Sequence, residues 1–511
     1  MLNLPKRVKI ADSTVLLHAY AHQQVLTGLS VDSSPPFDST LADREIEHLG
    51  GAPKQVAWSA PNGSTYTLTV PPTVYPPRED TSLLAKVLCR GVLKPGLQFF
   101  EIGCGSGGLS LLAASYGCVV RACDVNPLAV ACTRALLKSE KLGGEVFEGG
   151  PGPLVDGAPA QWGGDRRYDV VVWNLPYLPL PKEGPYLGPM EEAALVDTDP
   201  SGLYERFLSM LVEGVLLHKS GHAYILLSSQ KDGKYAREKA WSKGLAARIV
   251  EATTLGDGEE LYVLQIWHPF ANTAVLRHEE VSSTNEVLLR SDEPMGTSVI
   301  AQRQTQGRGR RGRSWATHSG ALLTSWVVAN AAALQHHPSD QVRTGSDIAR
   351  LLKYLVRAEE GSKICLKWPN DVYLWTETSG SWRKAGGVLF EGRSQGSTSR
   401  LVLGVGLNID KPSVQEHAGL LEAGCQLSSD ALHSMLHALV ASRFEQRGLL
   451  SLKEVDHASV EAEVLDGIDY LKPIFYRGEE IKVEHVDSNG ALVTSDSRVI
   501  NEPEDLRWSN I

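Results

Sequence analysis

Residues 307–313 read Gly-Arg-Gly-Arg-Arg-Gly-Arg, and three glycines in seven positions bar the segment from the interior of a helix or strand. Glycine lets a backbone approach a ligand closely, and the four arginines offer forked donors matched to carboxylates and phosphates. The segment stands between two β-rich runs, 297–302 and 321–328, so it is a loop anchored at both ends rather than a tail. Its cations should repel one another until an anion joins them, so the loop is expected to order on ligand binding. A basic tract for nucleic acid is the competing reading. The net charge of −10 opposes it, giving no general attraction to nucleic acid or to an anionic membrane.

Three further motifs follow in order: Lys367-Trp368-Pro369-Asn370-Asp371, Lys384-Ala385-Gly386-Gly387-Val388-Leu389-Phe390-Glu391 and Gly404-Val405-Gly406-Leu407-Asn408. With the arginine loop they resemble the biotin protein ligases of the BirA type, from about residue 281 to the C-terminus. The resemblance implies an α+β catalytic domain at 274–462 and a small SH3-like β-barrel at 463–511. It implies biotin and ATP as substrates, Mg2+ as metal, and the carrier domain of a carboxylase as acceptor, with a homodimer through the ligase domain possible in the family. Residues 281–286 alone read as a capped helix start. By the resemblance, Ser283, Thr284 and Asn285 meet the biotin ring with Gln304 beside them. Gly307, Arg308, Gly309 and Arg310 meet its carboxylate and the acyl phosphate. Arg310, Arg313, Lys367, Asn370 and Asp371 correspond to the ATP site, Asp371 also to the metal ligand, Trp315 to the adenine-stacking indole and Asn408 to a nucleotide contact. Lys384 binds the biotin carbonyl and phosphate, and with Arg310 is the catalytic candidate. The DNA-binding winged helix of repressor-type ligases has no counterpart, so no repressor role is expected.

The first half has its own signature. A strand at 99–102 runs into Gly103-Cys104-Gly105-Ser106-Gly107-Gly108 and a helix from 109, which sets backbone N–H groups against a nucleotide-like ligand. The spacing is not the dinucleotide fingerprint. Glu101 before the turn and Asp124 after the next strand better suit S-adenosylmethionine, with Asp124 accepting from ribose hydroxyls; the alternative is that Asp124 caps the helix opening at Asn126-Pro127. A strand at 168–173 ends in Asn174-Leu175-Pro176-Tyr177. Here residues 56–270 resemble the HemK-like release-factor glutamine methyltransferases. That implies a Rossmann-like α/β domain with a seven-stranded sheet whose last strand is antiparallel, and S-adenosylmethionine held by Glu101, Gly103, Gly105, Gly107, Asp124 and Asn174. It also implies a release-factor partner and an acceptor site at Asn174, Leu175, Pro176 and Tyr177, where the Asn174 side-chain oxygen and the Leu175 carbonyl take the acceptor's N–H groups. Leucine replaces the family's usual proline, and Asn-Leu-Pro-Tyr is the form of rRNA adenine dimethyltransferases. An adenine of RNA or DNA stays open as acceptor, and so does an inactive recruiting scaffold.

At 511 residues, about three domains are expected. Residues 1–55 form an extension with one helix near 14–27 and no assignable role. Residues 56–70 read as a hairpin around Pro61-Asn62-Gly63. A helix is expected at 203–217, strands at 223–228 and 261–267, and terminal strands at 470–477, 480–485 and 491–494 with a turn at 487–490. Seven scattered cysteines without a C-x-x-C pair read as reduced thiols and argue against a structural zinc site. No run reaches the ~18 apolar residues of a membrane span, and a cytoplasmic, soluble protein is expected.

Overall fold

The structure, a computed structural model, describes residues 51–151, 162–176, 197, 199, 201–229, 231–256, 258–315, 318, 320–331, 337–356, 363–395 and 398–511. The helix expected at 14–27 and Tyr177 lie outside these residues.

Strands β1 (Lys54–Ser59) and β2 (Thr65–Val70) form the expected hairpin. Its alternating pattern buries Trp58, Leu68 and Val70 against the domain that follows. That domain is a seven-stranded sheet of β3 (Gln98–Ile102), β4 (Val119–Asp124), β5 (Glu145–Glu148), β6 (Tyr168–Asn174), β7 (Leu217–Ser228), β8 (Ala246–Thr254) and β9 (Glu260–Trp267). The order is β5-β4-β3-β6-β7-β9-β8, and β9 pairs antiparallel with both β7 and β8. Helices Glu79–Cys89, Gly108–Ser115 and Pro127–Ser139 pack on one face. Leu203–Val212 and Ala236–Ser242 pack on the other. Covered on both sides, β3 and β6 bury most of their residues, among them Phe99, Phe100 and Ile102 of β3 and the run 170–173 of β6. The helix expected at 203–217 stops at Val212: Gly214 turns the chain at φ 68° and residue 217 already belongs to β7.

The second sheet comprises β10 (Val275–Val281), β11 (Ser298–Gln304), β12 (Ala321–Ala331), β13 (Lys363–Lys367), β14 (Asp371–Trp375), β15 (Trp382–Gln395) and β16 (Thr398–Asn408). They lie in the order β10-β11-β12-β16-β15-β14-β13, antiparallel except for β10 and β11. Helices Asp340–Val356 and Ser429–Phe444 bury their apolar stripes against it.

The two sheets share a core. Trp241, Ala246 and Trp267 of the first half cluster with Leu322, Trp326, Ile348, Leu436 and Val440 of the second. Three polar pairs cross the seam: Trp241 Nε1 donates to Ser442 Oγ (2.9 Å), Trp267 Nε1 to Glu445 Oε2 (2.8 Å), and Arg350 bridges to the buried Glu238 (2.6 Å). The backbone N–H of Leu452 donates to the Ile249 carbonyl (2.9 Å), covering the edge strand β8.

Helix Lys453–Leu471 continues through Tyr470, which was expected in a strand. Its buried apolar positions, 460, 464, 468 and 471, recur at helical spacing. Beyond it, β17 (Ile474–Tyr476), β18 (Glu479–Ile481), β19 (Val483–Val486), β20 (Leu492–Thr494), β21 (Val499–Ile500) and β22 (Leu506–Trp508) make two three-stranded sheets, β18-β17-β22 and β19-β20-β21. The expected turn is present: Asp487 accepts from the Asn489 and Ala491 N–H groups. All seven cysteines are free, and among the described residues no helix is long and apolar enough to cross a membrane.

Candidate functional site

The second sheet bears a cleft in which segments far apart in sequence meet. Helix Thr284–Leu289 begins at Ser283, whose backbone takes the N-cap place while its side chain makes no capping bond, contrary to the capped helix start read from sequence. Ser283, Thr284, Asn285 and Gln304 line one end of the cleft. Their polar atoms are interlocked: Gln304 Oε1 accepts from the Thr284 N–H (2.7 Å), and Ser325 Oγ lies 2.8 Å from Thr284 Oγ1 and 2.6 Å from Asn285 Oδ1.

Arg308, Gly309, Arg310, Arg313 and Trp315 form the roof. Gly307 does not line the cleft; it sits behind Trp315, where a Cβ would come 2.7 Å from the Trp315 carbonyl. The arginines are not the mutually repelling set expected from sequence. Arg308 bridges to Glu286 (3.0 Å) and Glu391 (3.3 Å), Arg311 to Glu502 (2.6 Å), and Arg313 to Glu504 (3.4 Å). Carboxylates of the C-terminal module thus occupy the loop, which already carries a short 3-10 turn at Arg310–Gly312.

The floor is a glycine strip. Gly387, Gly404 and Gly406 face the cleft from β15 and β16. A Cβ at Gly406 would lie 2.7 Å from Trp315 Cζ2, so the close approach of the indole to the sheet requires glycine there. The ligase resemblance puts Trp315 on an adenine, and on that expectation Gly406→Val should unseat Trp315 and weaken ATP binding by about 1–3 kcal/mol, the cost of overpacking a filled site. Titrating ATP against tryptophan fluorescence checks it; unchanged affinity would count against a stacking role.

Lys384 reaches the cleft because β15 is irregular. Tyr373 pairs with Lys384 and Val372 with Gly386, so Ala385 is an extra residue. In a regular strand Lys384 and Gly387 would face opposite sides; the bulge turns both toward the cleft. The lysine's backbone is fixed by Glu416 O, which accepts its N–H (3.1 Å), and by Ala418 N, which donates to its carbonyl (2.9 Å). Its Nζ lies 2.7 Å from Asp371 Oδ1 and 5.2 Å above the Trp315 ring. Asn370 fastens the end of β14, donating from Nδ2 to the Val388 carbonyl (3.0 Å). Lys367 stands between the Tyr373 and Trp508 rings, and burial lowers its pKa despite Asp371 nearby. Asn408 does not line the cleft: it is buried and donates from Nδ2 to the Ala418 carbonyl (3.2 Å), behind Lys384.

In the first half, Gly103, Gly105 and Gly107 turn at φ 69°, 50° and 86° between β3 and its helix. The Asp124 carboxylate accepts from the N–H groups of Gly105 and Asn126, both at 2.8 Å, and burial raises its pKa. The helix cap is Asn126, not Asp124, and accepts from Leu128 N (2.9 Å). Glu101 is buried and its carboxyl accepts from Ser110 Oγ. Burial pushes its pKa up to about 8, although the bond from Ser110 opposes the rise. A group that stays protonated in the folded state and ionises in the unfolded one adds stability below its ordinary pKa, lost as pH climbs through about 8. Glu101→Gln should therefore flatten the decline in stability between pH 5 and pH 8, read by urea unfolding at both; an unaltered slope would place the titrating group elsewhere.

Asn174 ends β6, with Leu175 buried and Pro176 next to it. Its Nδ2 donates to Asp80 Oδ2 (2.9 Å), while Oδ1 is buried without a hydrogen-bond partner among the described residues. Sequence reasoning missed Asp80, the glycine strip as a floor, and Glu504. Only the glycines stood inside the motifs quoted above; no local pattern marks Asp80 or Glu504 as part of a site.

Residues 278–408 match the biotin/lipoate A/B protein ligase family. The chain is 32% identical over 182 residues to the bifunctional ligase/repressor BirA of Escherichia coli, covering 33% of this chain and 54% of that protein. It thus spans about half the length of that relative. In its N-terminal part it is 34% identical over 84 residues to a ribosomal protein L11 methyltransferase of Nitratiruptor, covering 16% of this chain and 26% of that protein. Among solved structures, the biotin protein ligase of Aquifex aeolicus with biotin and ATP is 26% identical at a TM-score of 0.37, covering 46% of this chain and 99% of that one.

Proposed function

We propose that the chain joins two enzymes: an S-adenosylmethionine-dependent methyltransferase at 56–270, and a biotin protein ligase at 274–462 completed by the module at 463–511. The ligase makes biotinyl-AMP from biotin and ATP and transfers biotin to a lysine of a carboxylase carrier domain. The observation that carries this half is the convergence of Gln304, Arg310, Trp315, Asp371 and Lys384 on one cleft, within a segment matching the ligase family. Attack of the biotin carboxylate on the α-phosphate, and capture of the mixed anhydride by an amine, both gather negative charge on phosphate and acyl oxygens. Lys384 and Arg310 on a supported frame can stabilise it. Ser283, Thr284 and Gln304 would hold the biotin ring, and Trp315 the adenine. Among the described residues no three side chains cluster to cage a metal. Mg2+ would be held by Asp371 as the protein carboxylate together with substrate phosphates, a common arrangement for this ion. Incubation with biotin, ATP, Mg2+ and an apo carrier domain should add one biotin to the carrier, read by intact mass; an unmodified carrier would overturn the assignment.

For the first half, the match to a methyltransferase and the buried acceptor oxygen of Asn174 support methyl transfer to nitrogen. When bound, S-adenosylmethionine supplies the electrophilic methyl group. The turn at 103–107 and the remaining lone pairs of Asp124 would hold it, and Asn174 Oδ1 would accept an N–H of the acceptor. The preferred acceptor is a glutamine amide of a release factor. Leu175 in place of proline favours a second reading, an adenine of RNA or DNA; whether labelled methyl appears on protein or on nucleic acid separates the two.

A further inference from the structure

We infer that Asp80 is a positioning residue for the methyl-acceptor site, holding the Asn174 amide with its oxygen rather than its NH2 toward the acceptor nitrogen. The inference rests on the methyltransferase reading of residues 56–270.

Asp80 lies in the first turn of helix Glu79–Cys89 and is 4% exposed. Only donors converge on it. Oδ2 accepts from Tyr75 Oη (2.7 Å) and Asn174 Nδ2 (2.9 Å), and Oδ1 accepts from the Thr81 backbone N–H (2.5 Å) and from Thr81 Oγ1 (3.2 Å). An ionised carboxylate has no proton to give, so the asparagine must turn its NH2 toward it. The other end of the planar amide then carries Oδ1 away from Asp80, buried and without a partner among the described residues. A buried acceptor held in that state is complementary to an incoming N–H, as in a primary amide or an exocyclic amine. An acceptor presenting a carboxylate or a tertiary nitrogen gives Oδ1 nothing to accept. Tyr75, which precedes the helix, and Thr81, within it, fix the carboxylate against rotation, so the chain Tyr75–Asp80–Asn174 sets the polarity of the site from outside it.

The bland alternative is that Asp80 only favours its helix N-terminus as an acidic residue there. Asp80→Asn separates the two, since it keeps size while adding a donor. If Asp80 orients Asn174, the new NH2 favours the flipped amide, which opposes the acceptor's N–H groups with donors. The turnover rate with tritiated S-adenosylmethionine should fall about 10²-fold, the loss typical of one misdirected hydrogen bond at a reacting centre. Affinity for S-adenosylmethionine by calorimetry and the unfolding midpoint should stay near wild type. The double variant Asp80→Asn, Asn174→Asp exchanges donor and acceptor within the pair and again presents an oxygen, so it should exceed the Asp80→Asn turnover at least roughly tenfold. The probes are a glutamine-containing peptide and an adenine-containing RNA oligonucleotide. Wild-type turnover in Asp80→Asn, or a double variant no faster than that single one, overturns the positioning role while leaving the methyltransferase reading in place. A wild-type chain that methylates neither probe overturns both.

Discussion

Lys384→Ala is expected to slow formation of biotinyl-AMP by roughly 10²–10³-fold, the loss typical when a preorganised donor is removed from a site of developing charge. The lysine is preorganised in a specific sense. The bulge at Ala385 turns it into the cleft, Glu416 and Ala418 fix its backbone, and Asp371 and the Trp315 face fix its ammonium. Alanine leaves the backbone contacts in place, so the fold should persist. It also frees Asp371 from its partner, adding an uncompensated carboxylate where phosphates must bind. Arginine should restore little, because a planar fork does not reproduce a point charge seated 2.7 Å from Asp371. The measurement is single-turnover formation of acid-labile biotinyl-AMP, with methyl transfer assayed in parallel. Methyl transfer should be unaffected; a loss of both activities would mean that the variant misfolds or that the halves are coupled.

Arg443→Met should cost about 3–5 kcal/mol of stability, because it removes the ion pair of the buried Asp347 and leaves Asp456 to the longer contact with Arg343 (3.5 Å). Arg443 is the sole cation bonded to both Asp347 (2.5 Å) and Asp456 (3.1 Å) among the described residues. Burial alone would raise Asp456, but the guanidinium overrides it and holds the carboxyl at about 2. A carboxyl depressed in the folded state contributes stability above its ordinary pKa, lost as pH falls from near 4 toward 2. The variant should show a smaller acid-side decline, since Arg237 and Arg343 still face Asp456, as well as being weaker at pH 7. The same helix carries Ser442, and Glu445 follows it, into the seam with the first half. Urea unfolding followed by tryptophan fluorescence should thus lose both halves together in Arg443→Met. A wild-type midpoint would show that the cluster is solvated in practice.

Much of the cleft was legible in the sequence because its parts are motifs with chemistry in each residue. Gly-Arg-rich, Lys-Trp-Pro-Asn-Asp and Lys-Ala-Gly-Gly segments each lack a good reason to exist as ordinary surface, and the structure brings them together. Strands β3 and β6 of the first half were legible because each ends at a motif, the glycine turn after Ile102 and Asn174-Leu175-Pro176, and the seven-stranded sheet around them followed from the methyltransferase resemblance. What escaped depends on tertiary placement. Glu502 and Glu504 lie about 190 positions from the arginines they neutralise, and nothing in a Glu-Pro-Glu stretch announces its partner. The strand expected at 470–477 begins later, at Ile474, because burial spaced three and four apart carries the preceding helix to Leu471. Gly467, unfavourable in a helix, is there because a Cβ would come 2.1 Å from the Leu366 carbonyl of β13. Asp80 is an acid in the first turn of its helix, and only the fold brings Asn174, 94 positions away, against it.

The most direct test is exchange of labelled pyrophosphate into ATP by the purified full chain, with biotin or lipoate as the acid. The cleft should support exchange with biotin and Mg2+ and negligible exchange with lipoate, and Lys384→Ala should slow it by the same roughly 10²–10³-fold while Asn174→Ala leaves it intact. Exchange driven by lipoate, or none with either acid, would contradict the assignment.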